Sequence, residues 1–230
     1  MIPPSVPGGV QSEYDVVRSD PWMADALAEI QRACFPTLHP AQLIRAEHYR
    51  AHMTVFPEGQ HAVVERATGT VVASSTDFRT RVDFGRYQHL YMDAVGENWL
   101  THHDPEGDWL YGADVGVHPA HRGRGLSTLL QGAQHALARR LGLHGRVAGV
   151  LPTGYPRVAG EQPIEAYVGA VVRGRQSDPV LSAQLRRGYE VYGIIPGYVE
   201  DPSCGGFGIF LVWRNPDRAT LPGAASTGGE

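Results

Sequence analysis

The stretch from Trp109 to Leu141 constrains this chain more than any other. Trp109-Leu-Tyr-Gly-Ala-Asp-Val-Gly-Val117 reads as a strand, and Leu126, Leu129, Leu130, Ala133, Leu137 and Leu141 form one apolar stripe at helical spacing. Between them lies His118-Pro-Ala-His-Arg-Gly-Arg-Gly-Leu-Ser127, so an Arg/Gly loop leaves a strand and opens a helix. The first turn of a helix has backbone N–H groups without intrahelical partners and sits at the positive end of the helix dipole. Glycines let such a backbone approach a ligand closely, and Arg122 and Arg124 add positive charge. The order strand, glycines, helix start is therefore suited to cradling a diphosphate. The glycines alone fit a plain tight turn equally well. Two other phosphate motifs are excluded: there is no Gly-Lys-Ser/Thr, and the spacing is not Gly-x-Gly-x-x-Gly.

The rest of the sequence narrows the chemistry. All 20 basic residues are arginine, which removes a Schiff-base lysine and a Walker lysine. A net charge of −4 gives no reason to expect a nucleic-acid partner. No apolar run is long enough for a membrane span, and the N-terminus does not read as a secretory signal. Cys34 and Cys204 are too far apart to suggest a metal signature, and a reducing cytoplasm suits them. No metal is expected.

Residues 1–12 read as a loose Pro/Gly-rich arm, 13–215 as one domain, and 216–230 as a fraying tail. Asp20-Pro21 reads as a helix start, followed by a second helix over Ala41 to His52. A hairpin is predicted from His61–Glu65, a turn at Ala67–Gly69, and Thr70–Ser74. After the Leu126–Leu141 helix, stopped at Gly142, come a strand at Arg146–Val150, a long insert and a helix near Pro179–Arg187. Strands at Tyr189–Ile194 and Gly208–Trp213 close the domain. This alternation predicts an α/β or α+β sheet protein.

Val115-Gly-Val117-His118-Pro119-x-x-Arg122-Gly-x-Gly125-Leu-Ser127 resembles motif A of the GNAT (GCN5-related) N-acetyltransferase superfamily, with Ser127 at a position usually Gly or Ala. The resemblance covers about residues 13 to 214. Within the superfamily it resembles bacterial domains found alone or fused to carbon–nitrogen hydrolases, through Phe56-Pro-Glu-Gly-Gln60, Thr101–Tyr111, Asp178–Tyr189 and Gly193–Tyr198. It implies an α+β, three-layer fold with a mixed, mostly antiparallel sheet splayed at the central strand. It implies an acyl-CoA, chiefly acetyl-CoA, as cosubstrate. The diphosphate would rest on the backbone of Arg122, Gly123, Arg124, Gly125, Leu126, Ser127 and Thr128. The pantetheine arm would lie like an extra strand along Val115, Gly116 and Val117. That requires the strand to part from its neighbour at a bulge, for which Gly112 and Gly116 are suited. It also implies transfer to a small amine and a possible homodimer. The alternatives are a domain that binds acyl-CoA without turnover and an interaction domain beside a hydrolase.

Acyl transfer to an amine needs a base for the amine proton and a route for a proton to the leaving thiolate. The tyrosine that relatives often use as the acid, four residues before Gly188-Tyr189, is Gln184 here. Either another tyrosine serves, with Tyr155 and Tyr189 as the candidates, or the thiolate, a good leaving group, departs unassisted. Asp114 on the central strand is the first choice as base, followed by His103 and Asp104. Between Tyr87 and His121 there are six acids and no arginine, a strip that would favour a cationic acceptor. Trp99, Trp109, Tyr91 and Phe84 are candidates to line an acceptor pocket, though chiefly core residues. Cys34 reads as core and Cys204 as exposed.

Overall fold

The computed structural model describes residues 13–220. The segments 1–12 and 221–230, which hold the loose arm and most of the fraying tail, lie outside it. Seven strands form one sheet: β1 (Tyr14–Arg18), β2 (Gln60–Glu65), β3 (Val71–Thr80), β4 (Trp109–Val117), β5 (Gly145–Val150), β6 (Glu190–Ile195) and β7 (Gly208–Arg214). Their spatial order is β1-β2-β3-β4-β5-β7-β6. Every neighbouring pair is antiparallel except β4 and β5. That pair must be joined by a crossover, and α4 (Leu126–Arg140, numbered in chain order below) supplies it.

The helices are α1 (Ala24–Cys34), α2 (Ala46–Val55), α3 (Tyr91–Ala94), α4, α5 (Ile164–Val172) and α6 (Leu181–Arg186). α1 and α2 bury Leu27, Ile30, Tyr49 and Met53 against one side of the sheet. α4 buries Leu126 and Leu130 on the other, beside Val63, Ala73 and partly buried Val115 and Val117. Burial of each such aliphatic side chain contributes roughly 1.5–3 kcal/mol, so the two layers hold β4 from both faces.

Several sequence expectations meet the structure closely. The Asp20 carboxylate accepts a hydrogen bond from the Trp22 N–H, and Pro21 opens the helical turn that leads into α1. Gly142, at φ 64°, follows the end of α4. Others shift. α2 begins at Ala46 rather than Ala41, because Leu43 is extended and Arg45 takes the cap: its N–H donates to His48 Nδ1. The insert contains α5, which was not anticipated. Pro216–Thr220 forms a short helical turn, and Arg218 Nη1 donates to the Gly142 carbonyl. Cys204 is fully buried, correcting its reading as exposed; a short turn packs it under Asp201, whose carbonyl accepts from Sγ.

Candidate functional site

β4 and β5 pair only from Trp109↔Gly145 to Gly112↔Ala148. β4 then continues to Val117 and β5 to Val150 without pairing to each other. The two parallel strands therefore part, and the edge of Ala113–Val117 that faces β5 is left without a strand beside it. The cause is local. On the β3 side Thr76 pairs with Asp114 and Asp77 with Gly112, so Ala113 is an extra residue on β4. A bulge of this kind bends its strand and breaks the ladder. It falls next to Gly112, one of the two glycines the sequence offered.

The bulge also resets which side chains face which way. Tyr111 and Asp114 lie on the α1/α2 face, although three residues apart, because their partners Phe78 and Thr76 share that face. Gly116 faces α1 as well, where a Cβ would press on Ile30 and Cys34. Val115 and Val117 face α4.

The open end of the split leads to the start of α4. Gly123 and Gly125 have φ of 78° and 76°, a left-handed backbone that costs other L-residues about 1–2 kcal/mol. Nothing lies within 4 Å above Gly123. Gly125 caps α4 with no side-chain hydrogen bond. Among the described residues, the N–H groups of Gly123, Arg124, Gly125, Leu126 and Ser127 have no protein acceptor. Those of Arg122 and Thr128 are already committed, to the Pro119 and Gly125 carbonyls. A pocket of about 210 Å³ sits over this turn, lined by Val117, His121, Arg122, Gly123 and Ser127 among others. Arg124 Nη1 donates to the Tyr14 hydroxyl, and Arg122 Nε to the Val117 carbonyl. Arg187, which the sequence reading did not single out, donates to both Ser127 Oγ (2.8 Å) and Thr128 Oγ1 (2.9 Å). It thus adds a third guanidinium to the helix start. Five free donors, two glycines in the required conformation and three arginines fit a diphosphate. The free β4 edge fits an extended amide chain.

At the paired end of the split, on the α1/α2 face, opens a second cavity of about 470 Å³. Tyr111, Val147, Phe78 and Phe210 form its apolar floor. Its rim carries Arg81, Asp83, Arg86, Asp93, His102 and Asp104. None of Trp99, Trp109, Tyr91 and Phe84 lines it. Trp109 and Tyr91 are core, and Trp99 is exposed. The rim is mixed rather than acidic: the 87–121 strip supplies two of its carboxylates, but the preceding loop brings two arginines.

The four residues considered for proton chemistry do not come together. Asp114 is buried between α1 and α2. The Tyr49 hydroxyl donates to it at 3.3 Å, and the Gln31 amide, turned nitrogen-first, donates at 3.1 Å. Loss of solvent pushes its carboxyl up to about 7, a rise the Tyr49 bond opposes. It lines neither cavity. Asp104 sits on the cavity rim, where its carboxylate accepts from the Glu106 N–H and pairs with Arg81 at 2.9 Å. Those partners hold it below the usual carboxylate range. His103 stacks on Phe56, and its Nδ1 accepts from the Arg79 N–H. Burial lowers its pKa. Tyr189 lies on the α4 face, where Arg146 Nη1 donates to its hydroxyl and His135 is 3.3 Å away. Gln184 accepts from the Gln131 amide, so no phenol stands at that position. Among the described residues no group of three or more His, Cys, Asp or Glu is placed to hold a metal ion.

With this geometry in hand, the chain can be set beside known proteins. No family model matches it. It is 31% identical over 194 residues to the probable hydrolase YhcX of Bacillus subtilis, covering 84% of this chain but only 37% of that protein's length. It is 29% identical over 192 residues to the uncharacterized N-acetyltransferase YkwB of the same organism, covering 83% of this chain and 84% of that one. Among solved structures it is similar to the GNAT-like decarboxylase GphF in complex with isobutyryl-CoA: TM-score 0.73, 25% identity, 87% of this chain and 99% of that one. It shares its fold with Salmonella typhimurium YncA, solved with its cofactor acetyl-CoA: TM-score 0.53, 18% identity, 93% and 99% covered. The split sheet and the bulged central strand belong to the fold of these GNAT proteins, to which this chain is similar along almost its whole described length.

Proposed function

We propose that this protein is an acyl-CoA-dependent N-acyltransferase that moves an acyl group, chiefly acetyl, to the amine of a small molecule. The observation that carries the proposal is the continuity of the split. It begins at the Ala113 bulge, runs along the free edge of Ala113–Val117, and ends on the free N–H groups of 123–127. That is one path with a place for a diphosphate at one end and a reacting carbonyl at the other. Bound there, an acyl-CoA would supply an activated acyl group with a good leaving thiolate. The chain's part is to hold the diphosphate on Gly123–Ser127, pair with the arm along Val115–Val117, and admit the acceptor through the Tyr111 cavity.

The test is release of free thiol from acetyl-CoA across a panel of small amines. Amine-dependent release is the expected result. Binding of acetyl-CoA with no release above the blank for any amine would contradict transfer.

One observation favours a second reading at the same site. The resemblance to the GNAT-like decarboxylase is the stronger structural one, 0.73 against 0.53 for YncA, and covers 99% of that chain. In the cavity, Arg86 has no side-chain partner among the described residues, and a carboxylate on the acyl group would suit it. Decarboxylation needs no amine. Carbon dioxide release from an acyl-CoA with a carboxylate β to the thioester carbonyl, in the absence of any amine, would select this reading.

A further inference from the structure

Three aromatic side chains connect the Tyr111 cavity to the split. His89 Nε2 lies 2.7 Å from the Tyr111 hydroxyl, and the Tyr111 and Tyr198 hydroxyls lie 2.9 Å apart. His89 and Tyr111 line the cavity. Tyr198 lies flat on the sheet at the far end: a Cβ at Gly149 would fall on its ring and hydroxyl, and one at Gly208 on its Cβ and ring. Gly149 is the first residue of β5 beyond the last β4–β5 pair. The phenol of Tyr198 therefore stands over the point where the strands part.

The direction of these bonds follows from His89. Its Nδ1 is 2.7 Å from the Tyr87 carbonyl, which can only accept, so Nδ1 carries the hydrogen. In the neutral imidazole Nε2 is then a lone pair, and Tyr111 must donate to it. Tyr111 has one hydrogen, so it accepts from Tyr198. Tyr198, buried against Gly149, is left with a free lone pair and no hydrogen of its own to spare. The three groups form a chain poised to take up a proton at Tyr198 and store it on His89.

We propose that Tyr198, Tyr111 and His89 are the proton relay for acyl transfer, with Tyr198 the catalytic group and His89 the store acting through Tyr111. The proposal rests on the transferase reading above. As the amine nitrogen forms its bond to the acyl carbon, its proton passes to the Tyr198 oxygen. The Tyr198 proton moves to Tyr111, and that of Tyr111 to His89 Nε2. When the carbon–sulfur bond breaks, the chain runs back and the proton ends on the thiolate sulfur. One C–N bond forms, one C–S bond breaks, and one proton moves from nitrogen to sulfur. This route takes over the task left open by Gln184.

The surroundings suit a neutral store. Burial lowers the His89 pKa, while the Tyr87 carbonyl and Asp93 oppose the fall. Phe210, Tyr111 and Tyr198 pack on its ring. The remaining charged groups of the cavity are Arg81, Asp83, Arg86 and Asp104, two of each sign. Burial raises both tyrosines, so neither ionises by itself near neutral pH and both pass protons rather than hold charge.

The relay is tested first without turnover. Imidazole nitrogen NMR of the ligand-free protein should find His89 as the Nδ1–H tautomer, with an Nε2 resonance that moves when Tyr111→Phe removes its donor. An Nε2–H tautomer would overturn the relay whatever the protein catalyses. With an accepted amine, Tyr198→Phe should bind acetyl-CoA as the wild type does but turn over roughly a hundredfold more slowly. Wild-type turnover should rise with pH as His89 becomes neutral, and His89→Gln should lose that limb. Variants with unchanged rate and pH profile would overturn the proposal. Absence of wild-type transfer beside the predicted tautomer would instead count against the transferase reading alone.

Discussion

At the scale of single residues, the most informative group is Asp114. A carboxyl raised from 3.8 to about 7 by burial is bound more tightly to its proton in the folded chain than in the unfolded one. Below pH 4 both states are protonated and the shift has no effect. Between pH 4 and 7 the unfolded state releases its proton and the folded state keeps it, so stability falls with rising pH, by roughly 4 kcal/mol at most. Asp114→Asn, which cannot ionise, should therefore gain in melting temperature relative to wild type between pH 5 and 8. A difference that stays constant over that range would show that the carboxyl is not so perturbed. Gly123 gives a second residue-scale prediction. A Cβ there meets open space, so Gly123→Ala should cost only the left-handed strain, about 1–2 kcal/mol, yet weaken acetyl-CoA binding by crowding the donors. Equal binding by both proteins would place the diphosphate elsewhere. Residues adjacent in sequence were the legible ones: the Arg/Gly loop, its helix start at Leu126 and the bulge near Gly112 are all local. The His89–Tyr111–Tyr198 chain was not legible, because residues from β4 and two separate loops, up to 109 apart, meet only in the folded chain.

At the scale of elements, the split depends on a closed end as much as on an open one. Arg146 on β5 reaches across β4 at Gly112 to Asp77 on β3, with Nε 2.5 Å from Oδ1. Gln134 on α4 donates to the other Asp77 oxygen at 2.7 Å, and Arg146 also reaches Tyr189. Both charged side chains are buried. Losing one partner leaves the other charge without compensation, at a cost of about 3–5 kcal/mol. Asp77→Asn should lower the denaturation free energy by that amount, and a loss under 1 kcal/mol would mean the pair does not clamp the strands. Tyr189 is thus part of the clamp on the α4 face, a position sequence spacing could not distinguish from the cleft. The apolar stripe of α4 and the short continuous apolar run of β7 were readable to within a residue or two. α5 was not: Ile164-Glu-Ala-Tyr-Val-Gly-Ala-Val-Val172 holds one charged residue in nine, so it has no polar face to set a period. α2 was displaced because capping by Arg45 and His48, an unusual pairing, competes with the better-known signal at Pro40.

At the scale of the whole molecule, one sheet is divided between two tasks. Its β1–β4 half carries the free strand edge and, through α4, the diphosphate cradle. Its β5–β7–β6 half carries the Tyr198 side of the split and part of the cavity floor. A ligand that spans the split joins the halves, and so should raise the melting temperature of the chain as well as bind it. The fold was legible from the alternation of strands and helices and from the Arg/Gly loop, whereas the cavity was not, since its arginines and its aspartates come from either side of a segment with few periodic signals. The most direct measurement is backbone amide hydrogen exchange with and without acetyl-CoA. Slower exchange is predicted in two separate stretches at once, the β4 edge at 113–117 and the helix start at 123–127. Protection at neither stretch, with acetyl-CoA present at saturating concentration, would contradict the account.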